Sequence, residues 1–145
     1  MQRLLGRYTD HLYAVLRIVV GLTFACHGAQ KLFGFLGGNA MPLVSQMGLA
    51  GIIEFFGGIL IATGLFASYA AFVASGELAV AFFTMHFPRG FWPIKNGGEL
   101  AVVYCLLFLY IAARGAGCWS LDALIRPTRV GQKSVGTQPK RQETS

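Results

Sequence analysis

The residues best equipped to do chemistry in this chain are His27, Lys31, Glu54, His86 and Glu99, and each stands within or at the edge of a long apolar run. An ionisable side chain among apolar neighbours is costly to bury and marks a candidate site whose partners have to be found. His27 and Lys31 are four residues apart and share one face of a helix, where both can donate to an oxygen. Glu54 and Glu99 can neutralise Lys31, accept from His27 or exchange a proton. Such a set suits a polar group that enters from an apolar phase; carboxylates and histidines inside a membrane are equally the parts of a proton relay. Two histidines and scattered carboxylates lack the tight spacing of metal ligands, so no metal is expected.

These side chains need a frame that crosses a membrane. Of 145 residues, 54% are apolar and 12% charged, which is about 78 apolar residues against the roughly 80 that four membrane helices require. Soluble domains carry about a quarter charged residues. The composition excludes a soluble enzyme with a large polar surface and a disordered chain, and three cysteines cannot make a disulfide scaffold. Apolar segments at 12–35, 48–66, 68–87 and 98–113 predict an all-α, integral membrane four-helix bundle running up-down-up-down. The uncharged link Ala67-Ser68-Tyr69-Ala70 makes segments two and three a tight hairpin. Gly21 with Ala25, Gly57-Gly58, and Ala71 with Ser75 predict close helix contacts.

The net charge of +6 is confined to the ends, with no Lys or Arg between Lys31 and Arg89. Arg3 and Arg7 precede the first segment and Arg114, Arg126, Arg129, Lys133, Lys140 and Arg141 follow the last, which predicts both termini in the cytoplasm. The first apolar stretch exceeds a signal-peptide core of about 7–15 residues and lacks a small-x-small cleavage site, so it reads as a retained helix in a bacterial plasma (inner) membrane. Outer loops are expected at 37–47 and 88–97, with Phe91 and Trp92 at the headgroups. Trp119 should anchor a short helix on the inner surface. The expected organisation is a four-helix transmembrane domain at 1–125 and a basic, disordered cytoplasmic tail at 126–145. Basic ends of this kind fit a membrane topology rather than nucleic-acid binding.

At 1.5 Å rise per residue, His27 falls about 6 Å outward of the midplane, Lys31 about 12 Å, Glu54 about 5 Å, His86 about 12 Å and Glu99 about 10 Å. Their shared depth argues for one site. Glu77 falls near the midplane, flanked by Ser75 and Gly76, and reads as a hydrogen-bonding group between helices. Arg17, about 9 Å inward, reads as an anchor whose guanidinium reaches the cytoplasmic headgroups. Cys26, Cys105 and Cys118 form no CxxC and read as small buried apolar groups. The two halves echo each other weakly, each with a His at the end of an outgoing helix and a Glu on the returning one.

The run His27-Gly28-Ala29-Gln30-Lys31-Leu32-Phe33-Gly34-Phe35 with Gly37-Gly38 resembles the HGxQKLFG signature of the DoxX family of small four-helix membrane proteins. Glu54 with Gly57-Gly58 and Gly64-Leu65, Asn96-Gly97-Gly98-Glu99, and Trp119-Ser120-Leu121-Asp122 are similar to that family's further motifs, in the same order, over about residues 12–126. The resemblance implies a membrane redox or thiol-stress setting, with His27, Lys31, Glu54 and Glu99 as site residues; His86 joins them on depth. Three readings follow. The first is a quinone-linked oxidoreductase or subunit of one, with quinone as cofactor held by His27 and Lys31. The second is a non-catalytic scaffold subunit of a redox or thiol-stress complex, suggested by the lack of a CxxC, a haem-ligand pattern or a nucleotide loop. The third is a small proton-coupled carrier, which would have to oligomerise. The expected partners are the bilayer, redox-complex subunits and further copies of the chain, with no nucleic acid.

Overall fold

The computed structural model describes residues 5–125; the tail expected at 126–145 lies outside the described residues. Four long helices carry the chain: α1 (Thr9–Phe33), α2 (Gln46–Thr63), α3 (Ala67–Ala81) and α5 (Glu99–Arg114). Two short ones, α4 (Pro93–Asn96) and α6 (Leu121–Ile125), lie outside them, and no strand occurs among the described residues. The apolar runs hold no proline, so nothing interrupts their helices until a designed stop. α2 opens on Ser45, whose Oγ accepts from the Gly48 amide at 3.0 Å, and closes on Gly64 at φ +72°, where a left-handed residue frees the chain to reverse. Reversal therefore occurs at 64–66, three residues before the expected link, because the glycine and not the small-residue tetrapeptide supplies the required backbone.

Three helical stretches, Gly6–Phe33, Gln46–Thr63 and Ala67–Arg89, are long and apolar enough to cross a membrane. The third reaches that length only because α3 continues as a π-helical turn over Phe82–His86 and a 3-10 turn over Phe87–Arg89. α5, at 16 residues, is shorter, and the helical turn before it is separated from it by Gly97 at φ +73°.

α1 and α2 form the most extensive contact, and glycine makes it possible. A Cβ on Gly28 would lie 2.2 Å from the Phe55 amide nitrogen, and one on Gly58 would lie 2.5 Å from both the Ala25 nitrogen and the Gly21 oxygen. Gly21 faces Gly58 and Ala62 while Gly28 faces Gly51 and Phe55, so the two helices run in opposite senses along this seam. Gly57 meets nothing within 4 Å and faces outward. Between α1 and α5 the spacing is set by large side chains instead: Phe24 meets Phe108 at 4.7 Å between ring centroids, and the hydroxyls of Thr23 and Tyr104 are 2.7 Å apart. Ser75 Oγ donates to the Cys105 carbonyl at 2.8 Å and ties α3 to α5. Val20, Phe24, Ile61, Leu78 and Phe108 form the core, while Leu22, Phe72, Val80 and Leu106 are among many large apolar residues left on the outer faces, as a lipid-facing surface requires.

Arg17 is not a headgroup anchor. It is fully buried, and its Nη1 donates to the carbonyls of Ile61 (2.6 Å) and Ala62 (2.8 Å) while Nη2 donates to that of Trp119 (2.7 Å). The Ile61 and Ala62 carbonyls lie in the last turn of α2, where a cation serves backbone acceptors and the helix dipole together. The same corner receives the closing motif. The Asp122 amide donates to the Gly64 carbonyl and Asp122 Oδ1 accepts from the Phe66 amide, both at 3.1 Å. A Cβ on Gly64 would stand 2.4 Å from the Ser120 side chain. Trp119 remains well exposed beside this clasp, its ring edge-on to His11 at 5.2 Å.

Candidate functional site

The tight α1–α2 seam decides where Lys31 and Glu54 go. Gly51 leaves room for the lysine stem, since a Cβ there would lie 2.9 Å from Lys31 Cβ. The stem crosses α2 at that glycine and sets Nζ 2.5 Å from Oε1 of Glu54, which stands three residues further along the same face. The carboxylate is buried and the ammonium largely so, with side-chain exposures of 5% and 24%. In an apolar interior such a pair survives because each charge has the other. Among the described residues, Glu54 Oε2 is buried without a donor.

Glu77 completes the cluster. It lies on α3 on the same groove wall as Lys31, and its Oε2 is also buried without a donor among the described residues. Lys31, Gln46 and Glu77 lie on the wall of this groove, of about 330 Å³ between α2 and α3, otherwise lined by apolar residues including Leu49, Ile53, Val73 and Val80. Leu49, Val73 and Val80 are exposed on its rim, so the groove opens on the outer face of the helices, where lipid would lie. Nothing in the sequence motifs singled out Glu77. The signal available was its charge: one lysine facing two carboxylates leaves one carboxylate without a counter-ion.

The remaining sequence-predicted residues are placed differently. His27 is half-buried on the stripe that carries Val20, Phe24 and Lys31, one turn from the ion pair, and makes no hydrogen bond among the described residues. His86 belongs to a second cluster: its Nδ1 is 3.3 Å from the Asn96 carbonyl and its ring stacks on Phe82. Asn96 is buried there, donating from Nδ2 to the Gly90 carbonyl (2.7 Å) and accepting at Oδ1 from the Gly98 amide (2.8 Å). A Cβ on Gly98 would press on His86 and Phe82 at 2.8 Å, so this stretch packs directly on the end of the π turn. Glu99 is exposed at the start of α5, in a shallow hollow with Pro93, Ile94 and Leu100. The structure thus brings Lys31 and Glu54 together, adds Glu77, and holds His86 and Glu99 on the connection between α3 and α5. The cysteines are free: Cys105 Sγ donates to the Ser75 carbonyl at 3.3 Å and Cys118 Sγ to that of Asp10 at 3.1 Å.

Chemically, the α2–α3 groove offers the Lys31 ammonium, with N–H groups beyond the one given to Glu54, the Glu77 carboxyl and mostly apolar walls, while Glu54 stands behind Lys31. It can hold a flat or chain-bearing apolar molecule by its polar end. A family model, DoxX, matches residues 12–87, a stretch that includes Lys31, Glu54 and Glu77. An uncharacterised protein of Haemophilus influenzae is 45% identical over 125 residues, covering 81% of this chain and 93% of that protein. No solved structure matches the chain.

Proposed function

This chain belongs to the DoxX family of membrane proteins, and from that premise we propose that it serves a quinone-linked redox system of the bacterial plasma membrane. The observation that carries the reading is the α2–α3 groove: mostly apolar walls open to lipid, with Lys31 and Glu77 on its wall and Glu54 held against Lys31. The residues fit a quinone head group. Lys31 has donors for a carbonyl oxygen, with Glu54 fixing its ammonium in place, and His27 stands one turn along α1 from it. A quinone, when bound, carries electrons and protons within the bilayer; the chain's own part is to orient it, keep water out and exchange protons. His86 and Glu99 stand on the outer connection between α3 and α5. In this reading residues 1–125 form one domain that crosses the membrane four times, up-down-up-down, with both termini and the basic tail in the cytoplasm.

The test is the quinone content of full-length protein purified in mild detergent, measured by solvent extraction and mass spectrometry, for the native chain, Lys31→Met and His27→Ala. Near-stoichiometric quinone in the native chain and its loss in Lys31→Met is the expected result. Quinone absent from all three, or equal in all three, refutes the reading and moves the function to a scaffold subunit or a proton-coupled carrier.

A further inference from the structure

We propose that Glu77 is a proton-exchange site: a carboxyl that holds a proton on the wall of the α2–α3 groove and trades it with an occupant arriving from the lipid. The argument is one of charge balance. Lys31 brings one positive charge to the cluster, and its contact with Glu54 Oε1 at 2.5 Å assigns that charge to Glu54. Glu77 is left without a counter-ion. Among the other ionisable groups on the surrounding helices, the Tyr104 hydroxyl meets Thr23, Cys105 meets Ser75 and His86 meets the Asn96 carbonyl, while His27 stands on the α1 stripe with no hydrogen bond to Glu77. Glu77 Oε2 is shut off from water and receives no hydrogen bond among the described residues. A bare carboxylate there has neither a counter-ion nor a donor to that oxygen, whereas a proton on the carboxyl removes the charge.

Position makes this group more than a neutralised core residue. Glu77 lines the groove itself, beside Gly76, which leaves space because a Cβ there would meet nothing within 4 Å. An occupant of the groove therefore touches the carboxyl directly. Its role as proton partner for a quinone rests on the functional reading above; the presence of a proton on Glu77 does not.

Dicyclohexylcarbodiimide tests both parts. This apolar reagent partitions into lipid and adds across its carbon–nitrogen double bond to a protonated carboxyl, the acid proton going to nitrogen and the carboxyl oxygen to carbon. Full-length protein in nanodiscs is treated and the adduct mapped by mass spectrometry. The expected result is labelling at Glu77 exceeding that at Glu54 by about tenfold or more, the ratio set by about 1.4 kcal/mol of greater preference for the protonated form. Glu77→Gln should lose the adduct, and Lys31→Met, which strips Glu54 of its counter-ion, should add a second adduct at Glu54. Labelling at Glu54 in preference to Glu77, or no adduct at Glu77 in the native chain, overturns the proposal. A short-chain quinone added beforehand should slow labelling at least several-fold. Labelling of Glu77 that quinone leaves unchanged keeps the proton site and removes quinone as its occupant, so the two readings fail separately.

Discussion

Gly57 and Gly58 are neighbours in sequence on one helix, and an alanine at each should have opposite consequences. An ideal Cβ on Gly58 stands 2.5 Å from the Ala25 nitrogen and the Gly21 oxygen, whereas ordinary contact begins at 3.4 Å; the difference, 3.4 − 2.5, requires α1 and α2 to part by about 0.9 Å. Both obstacles are backbone atoms of α1, so no side chain can swing aside. Overpacking of this kind costs about 1–3 kcal/mol. At Gly57 the added methyl meets nothing within 4 Å. Each substitution gains the same helix propensity, about 1 kcal/mol for replacing glycine by alanine, so the difference between the two variants isolates the seam. We expect Gly58→Ala to be less stable than Gly57→Ala by about 1–3 kcal/mol, read from helical circular dichroism as SDS is titrated into mixed micelles of the full-length chain. Glu54 is one turn from Gly58 on the same seam, so parting the helices should also weaken the Lys31 contact and lower quinone retention in Gly58→Ala alone. Equal unfolding midpoints for the two variants would refute the glycine-seam account of how the ion pair is positioned.

Arg17→Met should cost about 3 kcal/mol or more in the same titration and expose the Trp119 turn to protease, because three carbonyls lose a charged donor; a change below about 0.5 kcal/mol, the range of an ordinary surface substitution, would restore the headgroup-anchor reading. Lys31→Met should destabilise by about 3–5 kcal/mol by stranding Glu54, and Lys31→Met with Glu54→Leu should recover most of that while remaining unable to retain quinone. Recovery of quinone binding in the double variant would show that the pair is structural only. In a cysteine-free background, a membrane-impermeant maleimide should label Asn39→Cys in intact cells and Leu124→Cys only after lysis; the reverse pattern would invert the proposed topology.

Much of the helical frame was legible because its cause is local. Runs of apolar residues without proline mark helices, whereas the end of α2 at Gly64 was placed three residues late because the reading weighed the uncharged link and not the glycine. The π turn at Phe82–His86 was not legible, since the packing of Gly98 against Phe82 and His86 comes from a different stretch of chain. Arg17 illustrates the same limit more sharply. Its depth was read from its place in the first segment, but its partners are 44, 45 and 102 residues away, and no periodicity in the first helix announces them. The Gly64-Leu65 and Trp119-Ser120-Leu121-Asp122 motifs, noticed separately, turn out to be two halves of one clasp with Arg17 between them.

For the site, counting residues along a helix gives depth but not azimuth. His86 and Glu99 were grouped with Lys31 and Glu54 because all fall in the outer half, yet depth alone leaves a full turn of direction open on every helix. What fixed direction for Lys31 and Glu54 was the glycine seam, which brings α1 and α2 close enough for a lysine stem to cross at Gly51. No comparable seam turns Glu99 inward, and it stands exposed at the start of α5. Glu77 was set aside for the converse reason: its sequence neighbours Ser75 and Gly76 suggested a packing role, and Ser75 does bind across to Cys105, but successive residues on a helix point about 100° apart. Two steps from Ser75, Glu77 faces another helix altogether, and there the charge count of the cluster, rather than any motif, gives it chemistry.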